Sequence, residues 1–309
     1  MSTHLHVPQN AQATRRLALS LALTAIFVVI EAFAGWRANS LALLTDAGHN
    51  FTDVLALGLS WFAMWLTTQP ARAGRTYGHQ RAGILAALVN STSLAVISIG
   101  VFYEAYKRFV APPEVQADIL VGVGFLAFLV NAATAWLVHK GSDHDLNLRS
   151  AFVHLMGDVL STIGAVIAGV VIWFTGWDVL DPLVSVLIGV LILWNAWTIL
   201  RETLDILLEN APRDVEMSSL TRDLLAVDGV RGVHHVHVWS INRSLRALSA
   251  HILIDDISVS ESASVQQAVN DLLTNHYNIG HATLQLECAE CDPDVMYCVE
   301  VDVHEHAGK

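Results

Sequence analysis

Six runs of apolar residues occupy positions 17–36, 40–66, 82–106, 117–139, 150–175 and 181–200. Each is close to the ~20 residues a helix needs to cross a ~30 Å hydrocarbon core. The pattern predicts six membrane-spanning helices joined by short connectors. "RANS" and "TGWD" read as tight turns and "VAPPEVQ" as a loop stiffened by Pro112 and Pro113, all on one side. On the other side lie two longer polar loops, "TTQPARAGRTYGHQ" and "HKGSDHDLNLR". The first sixteen residues are polar, and the run after them is longer than a signal's apolar stretch and lacks a clear small-residue cleavage site, so it is expected to remain as the first span.

After Glu202 the periodicity changes. Helical spacing over 214–227 gives way to strand-like alternation over 230–240, a turn at 241–244 and a second strand over 245–255. A helix opened by Ser260 follows over 260–276, then a third strand over 281–288. The predicted fold is an all-α six-helix transmembrane domain followed by a small cytoplasmic α+β domain of αββαβ order, an open-faced ferredoxin-like sandwich. The partition is a terminal segment 1–16, a transport domain 17–204, a metal-binding and dimerisation domain 205–289 and a tail 290–309.

Composition sharpens this picture. The 309 residues are 53% hydrophobic, too many for an ordinary soluble domain. Arg15, Arg16, Arg72, Arg75, Arg81, Lys140, Arg149 and Arg201 fall on one side of six alternating spans; only Arg37, Lys107 and Arg108 fall on the other. That asymmetry puts both termini in the cytoplasm. The first 204 residues hold 11 basic and 12 acidic side chains, and the remainder 6 and 17, so nearly all of the net charge of −12 sits in the tail. An acidic tail argues against nucleic acid or anionic lipid as its partner and is compatible with a cation. Three cysteines, Cys288, Cys291 and Cys298, lie in that cytoplasmic tail, where thiols or metal ligands are expected rather than disulfides.

The chemistry lies where hydrocarbon should tolerate it least. "HNFTD" (His49 to Asp53) in the second span and "HLMGD" (His154 to Asp158) in the fifth repeat one His-x-x-x-Asp pattern. Residues i and i+4 share a helix face. A mid-membrane Asp facing lipid costs ~2.5–3.5 kcal/mol, so both pairs should face inward and converge. One such pair reads equally well as interhelical hydrogen bonding; two on separate spans favour a site. Two imidazoles and two carboxylates make a tetrahedral N2O2 set suited to Zn2+, with a dication balancing the two anions. Metal entry would displace protons from these ligands, and proton entry would displace metal.

Asp46, one turn before His49, is expected near the outer mouth, lining an exit path or capping the helix start. Asn50, Asn90 and Asn131 read as interhelical hydrogen bonds. Glu31 and Glu104 are candidates for the ion pathway, although Lys107 and Arg108 beside Glu104 favour simple ion pairing. Cys288 and Cys291 form a C-x-x-C with thiolate-pair spacing.

"SLALLTDAGHNFTDVLAL", "NLRSAFVHLMGDVLSTIGAV", six spans and an αββαβ tail together resemble the cation diffusion facilitators, most closely the bacterial zinc exporter branch. The likeness runs from about Arg16 to Glu287. It implies a homodimer in the bacterial cytoplasmic membrane that exchanges cytoplasmic Zn2+ for protons at His49, Asp53, His154 and Asp158. It further implies zinc preference over cadmium from His49, and tail zinc at His234, His251 and Glu287. His235 and His237 read as alternating surface or core positions on one strand face. The chain departs from some members in offering only His79 in the loop between spans two and three. It also lacks a long His-rich loop, leaving His4, His6, His304 and His306 as weak terminal scavengers. A membrane metalloenzyme is the main rival, but no His-Glu-x-x-His or paired His box is present and four protein ligands leave no open metal position. A metal sensor is a third reading. No G-x-x-x-x-G-K-[ST] phosphate loop points to nucleotide-driven transport.

Overall fold

The computed structural model describes residues 11–142 and 146–288. Six long helices come first: α1 (Ala11–Arg37), α2 (Leu41–Thr67), α3 (Ala82–Val110), α4 (Ala117–Ser142), α5 (Leu146–Thr175) and α6 (Leu180–Leu207). Among the described residues, 82–110, 117–136, 155–175 and 180–207 are long and apolar enough to cross a membrane. Val29, Trp61, Phe174 and Trp194 are each at least 70% exposed. Large apolar side chains pointing outward in such numbers suit lipid, not water. These helices form the transmembrane domain.

Within the bundle, small residues let helices approach closely. A Cβ on Gly169 of α5 would sit 2.9 Å from Leu120 of α4, so no larger residue fits that crossing without movement. At one end of the bundle a carboxylate from α6 caps the start of α2. Asp181 is fully buried and accepts hydrogen bonds from Ser40 Oγ (2.6 Å), Leu41 N (2.6 Å) and Ala42 N (3.2 Å). Helix N-termini carry unpaired N–H donors and partial positive charge, and an acid there satisfies both. Arg108 holds the same corner through Asn39 O and Asp181 Oδ2. Each buried donor left unsatisfied costs ~1–3 kcal/mol. Asp181→Ala is therefore expected to lower the thermal unfolding temperature of the detergent-solubilised protein markedly, and Asp181→Asn, which keeps an acceptor oxygen, to lower it less.

The second unit is built from α7 (Met217–Leu225), β1 (Val230–Ser240), β2 (Arg246–Ile254), α8 (Val259–Tyr277) and β3 (His281–Glu287). β1 and β2 pair antiparallel and β2 and β3 parallel, in the order β1-β2-β3. A parallel pair needs a crossover, which α8 supplies. Leu220 and Leu224 of α7, and Val269 and Leu273 of α8, bury against Val236, Leu248 and Ile252 of the sheet. The αββαβ order read from the sequence is the order observed.

Two details differ. Ser258, not Ser260, caps α8: its Oγ accepts from Glu261 N, and Glu261 Oε2 accepts from Ser258 N at 2.9 Å. This reciprocal capping box starts the helix one residue earlier than expected. Helix α7 is shorter than 214–227. Elsewhere Asn242 Oδ1 accepts from Ser244 N and Leu245 N, both at 2.8 Å, and closes the hairpin turn. Tyr277 donates to Asp223 Oδ2 at 2.7 Å. Burial and that carboxylate push its hydroxyl up to about 12, so it stays a donor at any working pH.

Candidate metal centre

Helix α2 buries His49 and sets Asp53 one turn on; α5 buries Asp158 opposite them. His49 Nε2 lies 3.7 Å from Asp53 Oδ2 and 3.4 Å from Asp158 Oδ1. Ligand atoms from all three residues fall within 4.8 Å of one another. A tetrahedral ion with ~2.0–2.1 Å bonds would hold its ligand atoms roughly 3.3 Å apart. The observed spacings are close to that. His154 is one turn before Asp158 on α5, on the same helix face by spacing; its side chain lies outside the described residues.

The cluster opens onto a cavity of about 560 Å³ walled by α2, α3, α5 and α6. Asn90, Ser161 and Asn195 line it with His49, Asp53 and Asp158. Asn90, expected to bond between helices, therefore stands in the wall of this cavity. Asn195 and Ser161 were not singled out from sequence, although an Asn inside the apolar run of α6 was a legible signal.

Of the two roles expected of Asp46, capping α2 is not the observed one. The helix starts five residues earlier and its end donors are taken by Asp181, which leaves Asp46 buried in the bundle interior. Its Oδ1 accepts from Ser161 Oγ at 3.4 Å. Asn50 donates to both Asp46 and Glu31, so its expected role as a polar link between helices is the observed one. Asn131 is buried with Nδ2 unpartnered among the described residues. Glu104 pairs with Lys107 (3.0 Å) and Arg108 (3.4 Å), the simple ion pairing that its neighbours suggested. His79 contacts Arg75 of its own loop.

The tail holds a second cluster. His234 of β1 and His251 of β2 stand directly opposite in the antiparallel register, and Glu287 of β3 is opposite Leu253, two residues along from His251. Positions so related share one face of a sheet. His251 Nδ1 is 2.8 Å from Glu287 Oε1, and His234 Nε2 is 3.2 Å from Glu287 Oε2. The second contact lacks hydrogen-bond alignment: both atoms are buried and neither has a hydrogen-bond partner. Buried polar atoms are rarely left so. A cation between them would satisfy both.

His235 and His237 do not alternate as expected. The register slips between His234 and His237, and His235 takes a left-handed backbone (φ 51°) at the bulge. A bulge re-aims side chains, and here the His235 ring stacks on His251 with centroids 5.0 Å apart. Cys288 follows β3 and is exposed. Cys291, Cys298 and the terminal histidines His4, His6, His304 and His306 lie outside the described residues.

Comparison with known proteins adds a family. The cation efflux transmembrane domain matches residues 17–208, and the cytoplasmic domain of cation efflux proteins matches 212–289. The zinc transporter ZitB of Escherichia coli K12 is 36% identical over 307 residues, covering 98% of this chain and 97% of that protein. The cadmium, cobalt and zinc/H(+)-K(+) antiporter of Bacillus subtilis 168 is 35% identical over 274 residues, 88% of each. The metal cation efflux system protein CzcD of Cupriavidus metallidurans is 33% identical over 278 residues, 90% of this chain and 88% of that one. The chain belongs to the cation efflux family, the cation diffusion facilitators, and is an integral membrane transporter of that family rather than an enzyme.

Proposed function

We propose that this protein exports Zn2+ from the cytoplasm in exchange for protons, with His49, Asp53, His154 and Asp158 as the intramembrane transport site. The observation that carries this reading is the cluster of His49, Asp53 and Asp158 on the wall of the bundle cavity at ligand-to-ligand spacing. A relative named as a zinc transporter and another named as a cadmium, cobalt and zinc/H(+)-K(+) antiporter support the cargo and the exchange.

The proton side follows from the ligand chemistry. Zn2+ binds neutral imidazole and ionised carboxylate. Protons arriving from an acidic exterior would displace the ion outward, and cytoplasmic zinc would drive them off again. In this reading the protein is a homodimer in the cytoplasmic membrane with both termini inside. Residues 17–204 carry the ion, and 205–289 bind zinc through His234, His251 and Glu287, with Cys288 and Cys291 as further thiolate candidates.

Reconstitution tests the reading. In sealed proteoliposomes, zinc flux should drive an opposite proton movement seen with a trapped pH dye, and collapsing the pH gradient should slow it. Zinc flux with no proton movement would mean a channel-like path; proton and zinc silence together would favour a sensor.

Selectivity gives an independent check. Imidazole at position 49 suits zinc, whereas carboxylate makes a harder, more anionic site. His49→Asp is expected to raise cadmium flux relative to zinc. An unchanged ratio, measured with both ions at equal concentration, would remove His49 from the coordinating set.

A further inference from the structure

Glu31 is fully buried near the C-terminal third of α1, and Asp46 of α2 is buried beside it. The two carboxyls share one hydrogen-bond donor. Asn50 Nδ2 lies 3.5 Å from Glu31 Oε2 and 3.4 Å from Asp46 Oδ2, so one amide serves both acids. Glu31 Oε1 has no partner. Among the described residues neither acid pairs with a Lys or Arg; the basic side chain facing them is His49, on α2 with Asp46.

Carboxylates accept hydrogen bonds and cannot donate them. Two buried carboxylates that share a single amide donor and have no Lys or Arg beside them cannot both stay ionised in this low-dielectric setting, so one proton is needed between them. The pair shares no atom with the proposed metal ligands, yet it adjoins them. Ser161 donates to Asp46 Oδ1 at 3.4 Å and also lies 2.9 Å from the backbone oxygen of Asp158. The groups facing the pair are Asn50 and His49 on α2 and Ser161 and Asp158 on α5. Helix α4, packed along α1, brings Asp118 near one end, His139 near the other and the buried Asn131 between.

We propose that Glu31 and Asp46 form a proton-binding site separate from the metal ligands, with Glu31 carrying the proton. When a dication loads the neighbouring site, the Glu31 O–H bond breaks, its electron pair stays on the carboxylate, and the proton leaves to water. When the ion departs, the carboxylate takes a proton back. Each cycle then exchanges a proton that no metal ligand holds. This inference rests on the antiport reading and adds to it the place of one proton.

The test is calorimetric titration of the full-length protein with Zn2+ alone in two buffers of different ionisation enthalpy, which reports protons released per zinc bound. Glu31→Gln keeps the shape and a donor but has no proton to give. It should release about one fewer proton per zinc than wild type, and Glu31→Asp should restore the missing proton. Tail zinc contributes equally to all three proteins. Infrared spectra of the wild type should show a protonated carboxyl that disappears on adding zinc, a measurement that does not depend on any variant folding. Full proton release by Glu31→Gln, a carboxyl signal that ignores zinc, or one that follows potassium instead of pH would each overturn the proposal while leaving antiport intact. Absence of any proton release from the wild type would overturn antiport itself.

Discussion

Replacing Asp158 by alanine should reduce zinc flux in proteoliposomes to background while the protein still inserts. Asp158 is buried and lies 3.4 Å from His49, so its carboxyl is held beside a second candidate ligand inside the bundle. Removing one member of a buried charged pair, here a carboxylate facing a bound dication, costs ~3–5 kcal/mol because the other is left uncompensated. At ~1.4 kcal/mol per tenfold, that is roughly a hundred- to several-thousand-fold in occupancy of the site. The dication would also face one carboxylate where two are needed to neutralise it. Asp158→Asn separates charge from packing: it preserves the side chain's volume and should fail nearly as badly. Asp53→Ala should match it, since Asp53 reaches the same point from α2. Near-wild-type zinc flux from either alanine variant, at equal protein per vesicle, would show that the transport site lies elsewhere.

The transmembrane cluster was legible in the sequence because helical spacing is rigid. Once His49 and Asp53 are four apart in a span, only one face can hold both, and the cost of facing lipid decides which way that face turns. Strand β1 was legible in its bounds, since the apolar alternation over 230–240 has no helical equivalent. Several of the features that escaped depend on partners distant in sequence. Asp181 lies about 140 residues from the helix end it caps, and nothing local at 181 announces an acceptor for Leu41 N. The bulge at His235 obeys no propensity rule, as a histidine in a left-handed backbone is favoured only by the pairing around it. Ser258 and Ser260 are both plausible caps; what selects Ser258 is the reach of Glu261 back to its N–H. The capping role read for Asp46 failed because the depth of a residue depends on which neighbour already fills the helix end, here Asp181.

Zinc should raise the thermal unfolding temperature of the isolated tail, residues 205–309, and removing His234 and His251 together should abolish that rise. The tail has the elements of an independent fold, with one core packed between two helices and a three-stranded sheet. A ligand bound only by the folded form stabilises it by ~2.7 kcal/mol at a hundred times its dissociation constant. For a domain of this size each kcal/mol is worth about 4–8 °C, so saturating zinc should shift unfolding by roughly 10–20 °C. The comparison must be the zinc-induced shift and not the unfolding temperature itself. His234 is buried, and its truncation will weaken the metal-free domain through the cavity it leaves. A chelator should return the wild-type domain to its metal-free value, because His234, His251 and Glu287 are brought together only by the folded sheet. Cys288→Ser should leave most of the shift in place if the two histidines and Glu287 hold the ion, for Cys288 is exposed beyond the end of β3. A shift that survives the double histidine variant but vanishes with Cys288 and Cys291 replaced would move the ion to the thiolate pair, and the misaligned contact between His234 and Glu287 would then need another cause.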